Sequence, residues 1–432
     1  MPSVDPVSQA FNSAAQEYAP GKESLLYLES RRPQFDQSIQ FLETPQEKRM
    51  SHNEFRLHLD TIVHTGSALG RFEGKVIFVP YALPGETVTA RVEKSTKNWS
   101  LARLLKVEKP SPHRRKPVCP HFGVDKCGGC QWQHIRYKAQ LGYKYTILQD
   151  QFARIAKMKR PPVRPTVPGG PPLHYRNHIR LHAAPPDWGY IDAGNKRVIA
   201  IRTCPLMHPL LTPLFSRLPE AGHPNTEVSL RAGTRTGGTL STLQSENVSI
   251  LEKAGGFTFR ISAGSFFQVN STGAETLINL VLRYAHPQPE EFWLDLYAGT
   301  GLFTLPLAEQ AGHVTAVESH PEAVQDARFN AEAAGLTNIS FIQERTAPGL
   351  KQLTGKYSAA VLDPPRTGVS PAVFKELIRL HISRLIYVSC DPATLARDAA
   401  VLTKYGFSLA EIQPVDLFPQ TFHIESVCLF ER

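Results

Sequence analysis

Between residues 53 and 108, hydrophobic residues recur at alternate positions in short runs: "FRLHLDTIV" (55–63), "KVIFVPYAL" (75–83), "ETVTARVEK" (86–94) and "WSLARLLKV" (99–107). That period predicts half-buried strands. Gly66, Gly70, Gly74, Pro84 and Gly85 punctuate them, as turns require. Four or five such strands suit a small OB-like barrel, a fold that often binds oligonucleotides. From about residue 271 the pattern changes. A helix near 271–286 precedes "FWLDLYAG", followed by "HVTAVES", "ISFIQ", "AAVLDPP", "RLIYVSC", and a last pair around "FSLAEIQPV" and "ESVCLFE". Apolar strands separated by helical stretches predict an α/β, doubly wound, mainly parallel sheet. Residues 109–265 are mixed α+β, with a Pro-rich break at 159–176. Residues 1–52 are polar without sustained periodicity and predict a mostly disordered extension.

Composition narrows the function classes. No apolar run approaches the roughly 18 residues of a membrane span. The N-terminal stretch lacks the basic-then-apolar layout of a secretory signal, so a cytoplasmic protein is expected. A net charge of +9 favours a polyanionic partner. Two stretches concentrate the charge: "RLLKVEKPSPHRRK" (103–116), and "RYKAQLGYKY" (136–145), where Arg136, Lys138 and Lys144 alternate with tyrosines. Phosphate contacts beside stacking surfaces suit single-stranded nucleic acid. A helix face whose tyrosines turn into a core reads equally well.

Chemistry gathers at the predicted strand tips, where open α/β sheets bind ligands. "LDLYAGTGLFTLPLA" (294–308) runs from a strand through Gly299-x-Gly301 into a helix. The third glycine of a dinucleotide fingerprint is missing. Asp295 lies in the strand before the turn, where it favours a cation and repels a pyrophosphate. Glu318 ends the next strand, positioned to accept ribose hydroxyls. Together these favour S-adenosylmethionine. "LDPPRTG" (362–368) puts Asp363 at a third tip, in a loop stiffened by two prolines. Asp-Pro-Pro at this place is typical of enzymes that methylate planar atoms of bases. Cys390 ends the following strand in "LIYVSCDPATLARD" (385–398). It reads either as a small buried hydrophobe or as a nucleophile on the same rim as Asp363.

Cys119-x7-Cys127-x2-Cys130, with Cys204 further on, reads as a four-thiolate metal site in a reducing compartment. Spacing alone leaves zinc and an iron–sulfur cluster open. Cys428 falls in an apolar strand and reads as core.

The chain resembles the RNA uracil-5-methyltransferases of the TrmA/RumA-like family, and within them the iron–sulfur, ribosomal-RNA branch with a TRAM domain. The resemblance is carried by "VPYALPGETV", "CGGCQWQH", "FFQVN" (266–270), "LDLYAGTG", "LDPPRTG", "SCDPATLARD" and "FPQTFHIESV" (418–427). It implies a TRAM barrel at 53–108, a central iron–sulfur domain at 109–265 and a Rossmann-like class I methyltransferase domain at 266–432. It implies a [4Fe–4S] cluster on Cys119, Cys127, Cys130 and Cys204, and a cofactor site at Gln268, Tyr297, Glu318 and Asp363. It further implies Cys390 as nucleophile, Glu425 as general base and a monomer acting on RNA, with large-subunit ribosomal RNA as the expected substrate. Phe266 is the candidate stacking platform for a base drawn out of its stack. The chain departs from the family pattern in its longer first cysteine gap, in Leu302 and in Arg345, and neither of the latter is taken as a ligand. RNA cytosine-5-methylation and a non-enzymatic RNA-binding scaffold are the rival readings, and transfer RNA is the alternative substrate for uridine-5-methylation. The cluster cysteines and the setting of Glu425 oppose the first, and intact Cys390, Glu425 and Asp363 oppose the second.

Overall fold

The computed structural model of the protein describes residues 54–194, 197–243 and 249–432; the N-terminal extension expected at 1–52 lies outside them. Two compact units divide after Arg114.

The first unit holds six strands: β1 (Glu54–His58), β2 (Thr61–Ile62), β3 (Ala68–Phe72), β4 (Lys75–Val79), β5 (Thr87–Ser95) and β6 (Trp99–Lys109), in the order β1-β5-β6-β4-β3-β2. All pair antiparallel except β4 with β6. The alternating residues Leu57, Ile77, Val79, Val88, Ala90 and Ala102 supply the core. At Gly70 a Cβ would lie 2.2 Å from the His58 carbonyl oxygen. The sheet therefore curls until β3 meets β1, and only glycine fits between them. Arg114 is a strut of this unit. Its guanidinium donates to both oxygens of the buried Glu86 carboxylate (2.6 and 2.8 Å) and to the Tyr81 carbonyl (2.9 Å). Of the basic stretch at 103–116, then, Arg114 is spent on the fold and not on a phosphate.

The second unit begins with α1 (Tyr137–Arg154) and β7 (Val167–Pro168). A five-stranded antiparallel sheet follows, made of β8 (His178–Ala184), β9 (Asp187–Ile191), β10 (Val198–Ala200), β11 (Glu227–Ala232) and β12 (Thr239–Ser241), with the short α2 (Thr212–Ser216) between β10 and β11. The hairpin β13 (Ser249–Ala254) and β14 (Phe257–Ser262) leads into α3 (Ser271–Ala285). Then come β15 (Phe292–Leu296), α4 (Thr304–Ala308), β16 (His313–Glu318), α5 (Pro321–Ala333), β17 (Ile339–Gln343), α6 (Thr346–Lys351), β18 (Ala359–Leu362), α7 (Pro371–Arg379), β19 (Arg384–Ser389), α8 (Pro392–Lys404), β20 (Ser408–Asp416) and β21 (Glu425–Glu431). The large sheet runs β17-β16-β15-β18-β19-β21-β20-β7. Strands β15 to β19 are parallel, and β21 enters antiparallel between β19 and β20.

The Pro-rich stretch is not a break. Val167 pairs with Val415 at the sheet edge and Val163 bridges to Ile412. Leu148 and Phe152 of α1 join the core beneath β18 and β19. Lys144, expected on a basic RNA-facing surface, is fully buried, its ammonium 2.5 Å from Asp416 Oδ1 and 5.7 Å from the Trp132 ring. Lys144 shares with Gln140, Ile147, Leu148 and Gln151 the buried stripe of α1, and helix periodicity puts those positions on one face. Among the described residues no helix is long and apolar enough to cross a membrane.

Candidate active site

The rim is built by strand ends. Leu296, Leu362 and Ser389 close β15, β18 and β19, and each is followed at once by a turn, bend or irregular loop. After β15 the chain turns through Tyr297 (φ 64), Gly299 (φ 55) and Gly301 (φ 94). The left-handed backbone explains the glycines, and Tyr297 is the one β-carbon residue that bears it there. Glu318, at the tip of β16, fastens the turn by accepting from the backbone N–H groups of Gly299 (3.0 Å) and His320 (2.8 Å). Leu302 points into the apolar core, so its departure from the family pattern serves packing.

Two carboxyls lie beneath this turn, those of Asp295 and of the half-buried Asp363. Asp295 is fully buried; its Oδ2 accepts from Thr304 Oγ1 at 2.5 Å and its Oδ1 has no partner. Burial raises its pKa to about 7, the Thr304 hydrogen bond opposes this, and the Glu318 charge adds to it. Burial and then the Asp295 charge likewise lift Asp363 to about 7. An unpaired buried carboxyl oxygen is costly, and a cationic ligand relieves it. The donor set thus fits a molecule carrying positive charge near a ribose.

Gln268 lies buried in the 263–270 loop, where its carbonyl accepts from Asn177 Nδ2 (3.2 Å). Asp326 of α5 grips that loop through the backbone N–H of Ser262 and the hydroxyl of Ser265 (2.8 and 2.7 Å). The loop and Glu318, which precedes α5, therefore hang from one helix. Within it Phe267 is buried against Phe259 while the neighbouring Phe266 is 65% exposed. An apolar ring held out from a fastened loop has the form of a stacking surface.

Cys390 sits between the tip of β19 and the N-cap of α8, where Asp391 Oδ1 accepts from Thr394 N (2.8 Å). Ser389 pairs with Ser426 in the antiparallel β19–β21 register, which carries Cys390 beside Glu425. Burial pushes the Cys390 thiol up, and the charges of Glu425 and Asp363 push it further. Glu425 is 2% exposed, and burial, then Asp363, raise it well above the usual carboxylate range. The Arg366 guanidinium opposes both shifts. Sequence reasoning passed over Arg366, although it stands in the quoted "LDPPRTG". Its loop is pinned by Thr394, which donates to the Arg366 carbonyl (2.9 Å), and by Asp398, which accepts from Val369 N (2.9 Å). Its side chain meets the His423 ring at 3.2 Å.

The four cysteines Cys119, Cys127, Cys130 and Cys204 line one pocket, with Arg176 and Tyr190. All four are free thiols. Gln133 braces two of them, donating to Cys130 Sγ (3.1 Å) and accepting from Cys119 N (3.0 Å). Gly128 presses on β9; a Cβ there would lie 2.7 Å from the Ile191 carbonyl oxygen. Burial raises Cys127 to about 11 and Cys130 further still. As they stand, no three His, Cys, Asp or Glu side chains among the described residues form a group that could hold a metal ion. Cys428 lies in the core, as read.

Residues 234–432 match the family model of tRNA (Uracil-5-)-methyltransferase, and residues 54–105 match the TRAM domain. The 23S rRNA (uracil(1939)-C(5))-methyltransferase RlmD of Shewanella piezotolerans is 31% identical, over 90% of this chain and 98% of that protein. The chain belongs to the RNA uracil-5-methyltransferase family. An uncharacterized RNA methyltransferase of Thermosynechococcus vestitus is 32% identical over 86% of this chain and 97% of its own length. The Pyrococcus abyssi tRNA (uracil-54, C5)-methyltransferase, solved with S-adenosyl-L-homocysteine, superposes with a TM-score of 0.69 at 24% identity, covering 87% of this chain and all of that one. That likeness shows the fold: a class I methyltransferase with an N-terminal β domain. The protein is an S-adenosylmethionine-dependent RNA (uracil-5-)-methyltransferase.

Proposed function

We propose that this methyltransferase acts on a uridine of large-subunit ribosomal RNA through a covalent bond between Cys390 and the base. The observation that carries the chemistry is the antiparallel register that sets Glu425 beside Cys390, with Asp363 and Arg366 around them. Uracil carbon 5 is a weak nucleophile. The Cys390 thiolate adds to carbon 6, the 5,6 double bond opens, and its electrons become available at carbon 5. Bound S-adenosylmethionine would supply the methyl group that carbon 5 takes, its methyl–sulfur bond breaking so that S-adenosylhomocysteine is the leaving group. Glu425 then removes the proton from carbon 5, the double bond re-forms, and the carbon–sulfur bond breaks to release Cys390. Covalent catalysis of this kind divides one hard step into easier ones. Arg366, the cation beside both groups, favours the thiolate and the carboxylate that these steps need.

Gln268, Tyr297, Glu318 and Asp363 are assigned to the methyl donor. Asp295 Oδ1, buried without a partner beside them, supports a cationic occupant. Phe266 is assigned to stacking on the extruded base. The four cysteines are assigned to a [4Fe–4S] cluster, supported by four thiols around one pocket and N–H donors to two of the sulfurs. The cluster shapes the fold there, and no step of methyl transfer runs through it.

Ribosomal RNA is favoured by RlmD, which this chain matches over nearly the whole length of that protein. The test is to map 5-methyluridine in ribosomal and transfer RNA from a strain lacking the gene, then restore it with wild-type and Cys390→Ala copies. One 23S position should lose its methyl and regain it only with wild type. Loss confined to transfer RNA would overturn the substrate assignment.

A further inference from the structure

The loop from Leu417 to Ile424 delivers Glu425 to the rim, and the neighbouring part of the same unit holds it. Gln420 is 2% exposed and carries a left-handed backbone (φ 69) that a β-carbon residue seldom adopts. Each of its polar groups is committed. Its N–H donates to Gln140 Oε1 (2.9 Å), its side-chain Oε1 accepts from Gln140 Nε2 (3.0 Å), and its Nε2 donates to the Pro172 carbonyl (3.3 Å). Its carbonyl accepts from the backbone N–H groups of Gln131 (3.1 Å) and Trp132 (2.9 Å), directly after Cys130. Gln140, itself fully buried on α1, also donates to the Ile135 carbonyl (3.0 Å). The two amides therefore lock in both directions, and the loop on either side is tied as well. Lys144 donates to the Phe418 carbonyl (3.2 Å) and Tyr175 to that of Pro419 (3.0 Å).

From Gln420 the constraint passes quickly to the site. Thr421 Oγ1 donates to the Phe418 carbonyl (2.8 Å) and accepts from His423 N (3.3 Å), and Glu425 follows two residues later. Among the described residues no side chain hydrogen-bonds the Glu425 carboxyl, so its placement follows from the backbone that carries it. We propose that Gln140 and Gln420 are positioning residues for the proton-abstraction step, seating the Glu425 loop on the cysteine-bearing segment 130–132. This rests on Glu425 being the base. It gives the cysteine segment a part in the reaction through position alone: whatever fixes residues 119–135 also fixes where the base stands.

The test separates this step from the others. Gln140→Met removes the reciprocal amide from α1. Gln420→Gly removes it from the loop while a glycine keeps the left-handed backbone, so it covers the case in which the first variant does not fold. Each full-length variant is given labelled RNA and S-adenosylmethionine with a labelled methyl group, then run on a denaturing gel. A misplaced base slows proton removal but not attack or methyl transfer. Turnover should fall roughly 10- to 100-fold, doubly labelled protein–RNA adduct should accumulate, and S-adenosylmethionine affinity should stay near wild type, while the melting temperature falls because buried hydrogen-bond partners are stranded. Slow turnover without adduct, or wild-type turnover, in a folded variant overturns the inference. Glu425→Gln run alongside distinguishes the two readings. If it traps no adduct, the base assignment falls and this inference with it; if it does and the glutamine variants do not, only the positioning role falls.

Discussion

Cys390 and Glu425 stand side by side because two strands run in opposite directions. Ser389, the last residue of β19, is paired with Ser426 of β21, so the residue leaving one strand meets the residue that opens the other. A parallel neighbour would have put the same glutamate at the far end of the sheet. The antiparallel insertion is thus what brings a second functional group to a rim otherwise built from parallel strand tips.

On the proposed mechanism the two residues act at opposite ends of a covalent intermediate, and their variants should differ. Cys390→Ala should abolish methylation and leave no protein–RNA adduct while S-adenosylmethionine still binds. Glu425→Gln should form the methylated adduct and release it slowly, with turnover down about 10²- to 10⁴-fold. An adduct surviving in the Cys390→Ala background would place the nucleophile elsewhere.

Proton uptake should accompany loss of the methyl donor. Asp295 and Asp363 are each held at about 7 in the free protein, so the folded chain keeps protons there that the unfolded chain releases near pH 4. The stability these groups contribute accordingly declines as pH rises from about 4 to 7. A cationic ligand reverses the shift by favouring the carboxylates. Affinity for S-adenosylmethionine should rise over about pH 5.5–7, with protons released on binding. Calorimetry in two buffers of different ionisation heat measures the release, and Asp363→Asn should reduce it. Identical heats in both buffers would contradict the assignment.

Within the basic stretch at 103–116, Arg114 and Lys116 should separate cleanly. Arg114→Met strands the Glu86 carboxylate, which is fully buried, and should destabilise the 54–114 unit by about 3 kcal/mol. Lys116 is exposed. Lys116→Gln should leave denaturant unfolding unchanged and flatten the salt dependence of RNA binding by about one counterion. An unchanged salt slope would make Lys116 an ordinary solvated charge.

Gly128→Ala tests the cysteine pocket without touching a thiol. The added Cβ meets backbone atoms of Ile191, Asp192 and Ala193 at 2.7 to 2.9 Å, so the segment between Cys127 and Cys130 must move. Wild-type protein prepared without oxygen should carry about four irons, and this variant far fewer. Equal iron in both, or zinc in place of iron in wild type, would refute the cluster.

Much of this site was legible in the sequence because strand tips and turn residues announce themselves by local pattern. Asp295, Glu318, Asp363 and Cys390 each follow directly from an apolar run and a glycine or proline. Glu425 was not legible that way. Its position depends on the antiparallel pairing of β21, a nonlocal fact, and only the family resemblance pointed to it. Arg366 was visible but mute, since its place depends on Thr394 and Asp398 holding its loop. Lys144 misled for a different reason. Alternation with tyrosines suggested a surface, whereas the helical spacing of Gln140, Lys144, Ile147 and Gln151 marks a buried stripe. The Pro-rich stretch hid β7 because two residues of edge strand leave no periodicity to read.

The order of the large sheet also bears on how the chain assembles as it is made. Strand β20 is synthesised before β21 yet reaches the rest of the sheet only through it, and β7, made some 240 residues earlier, pairs only with β20. Two strands must therefore wait, unpaired along one edge, for a later one to be threaded between them and β19. Contacts so distant in sequence are slow to form. Glu425 opens that late strand, so a nascent chain exposing Cys390 has no neighbouring base until the sheet closes. If Cys390 bonds to RNA as proposed, the chain gains its means of release in the same event that completes its fold.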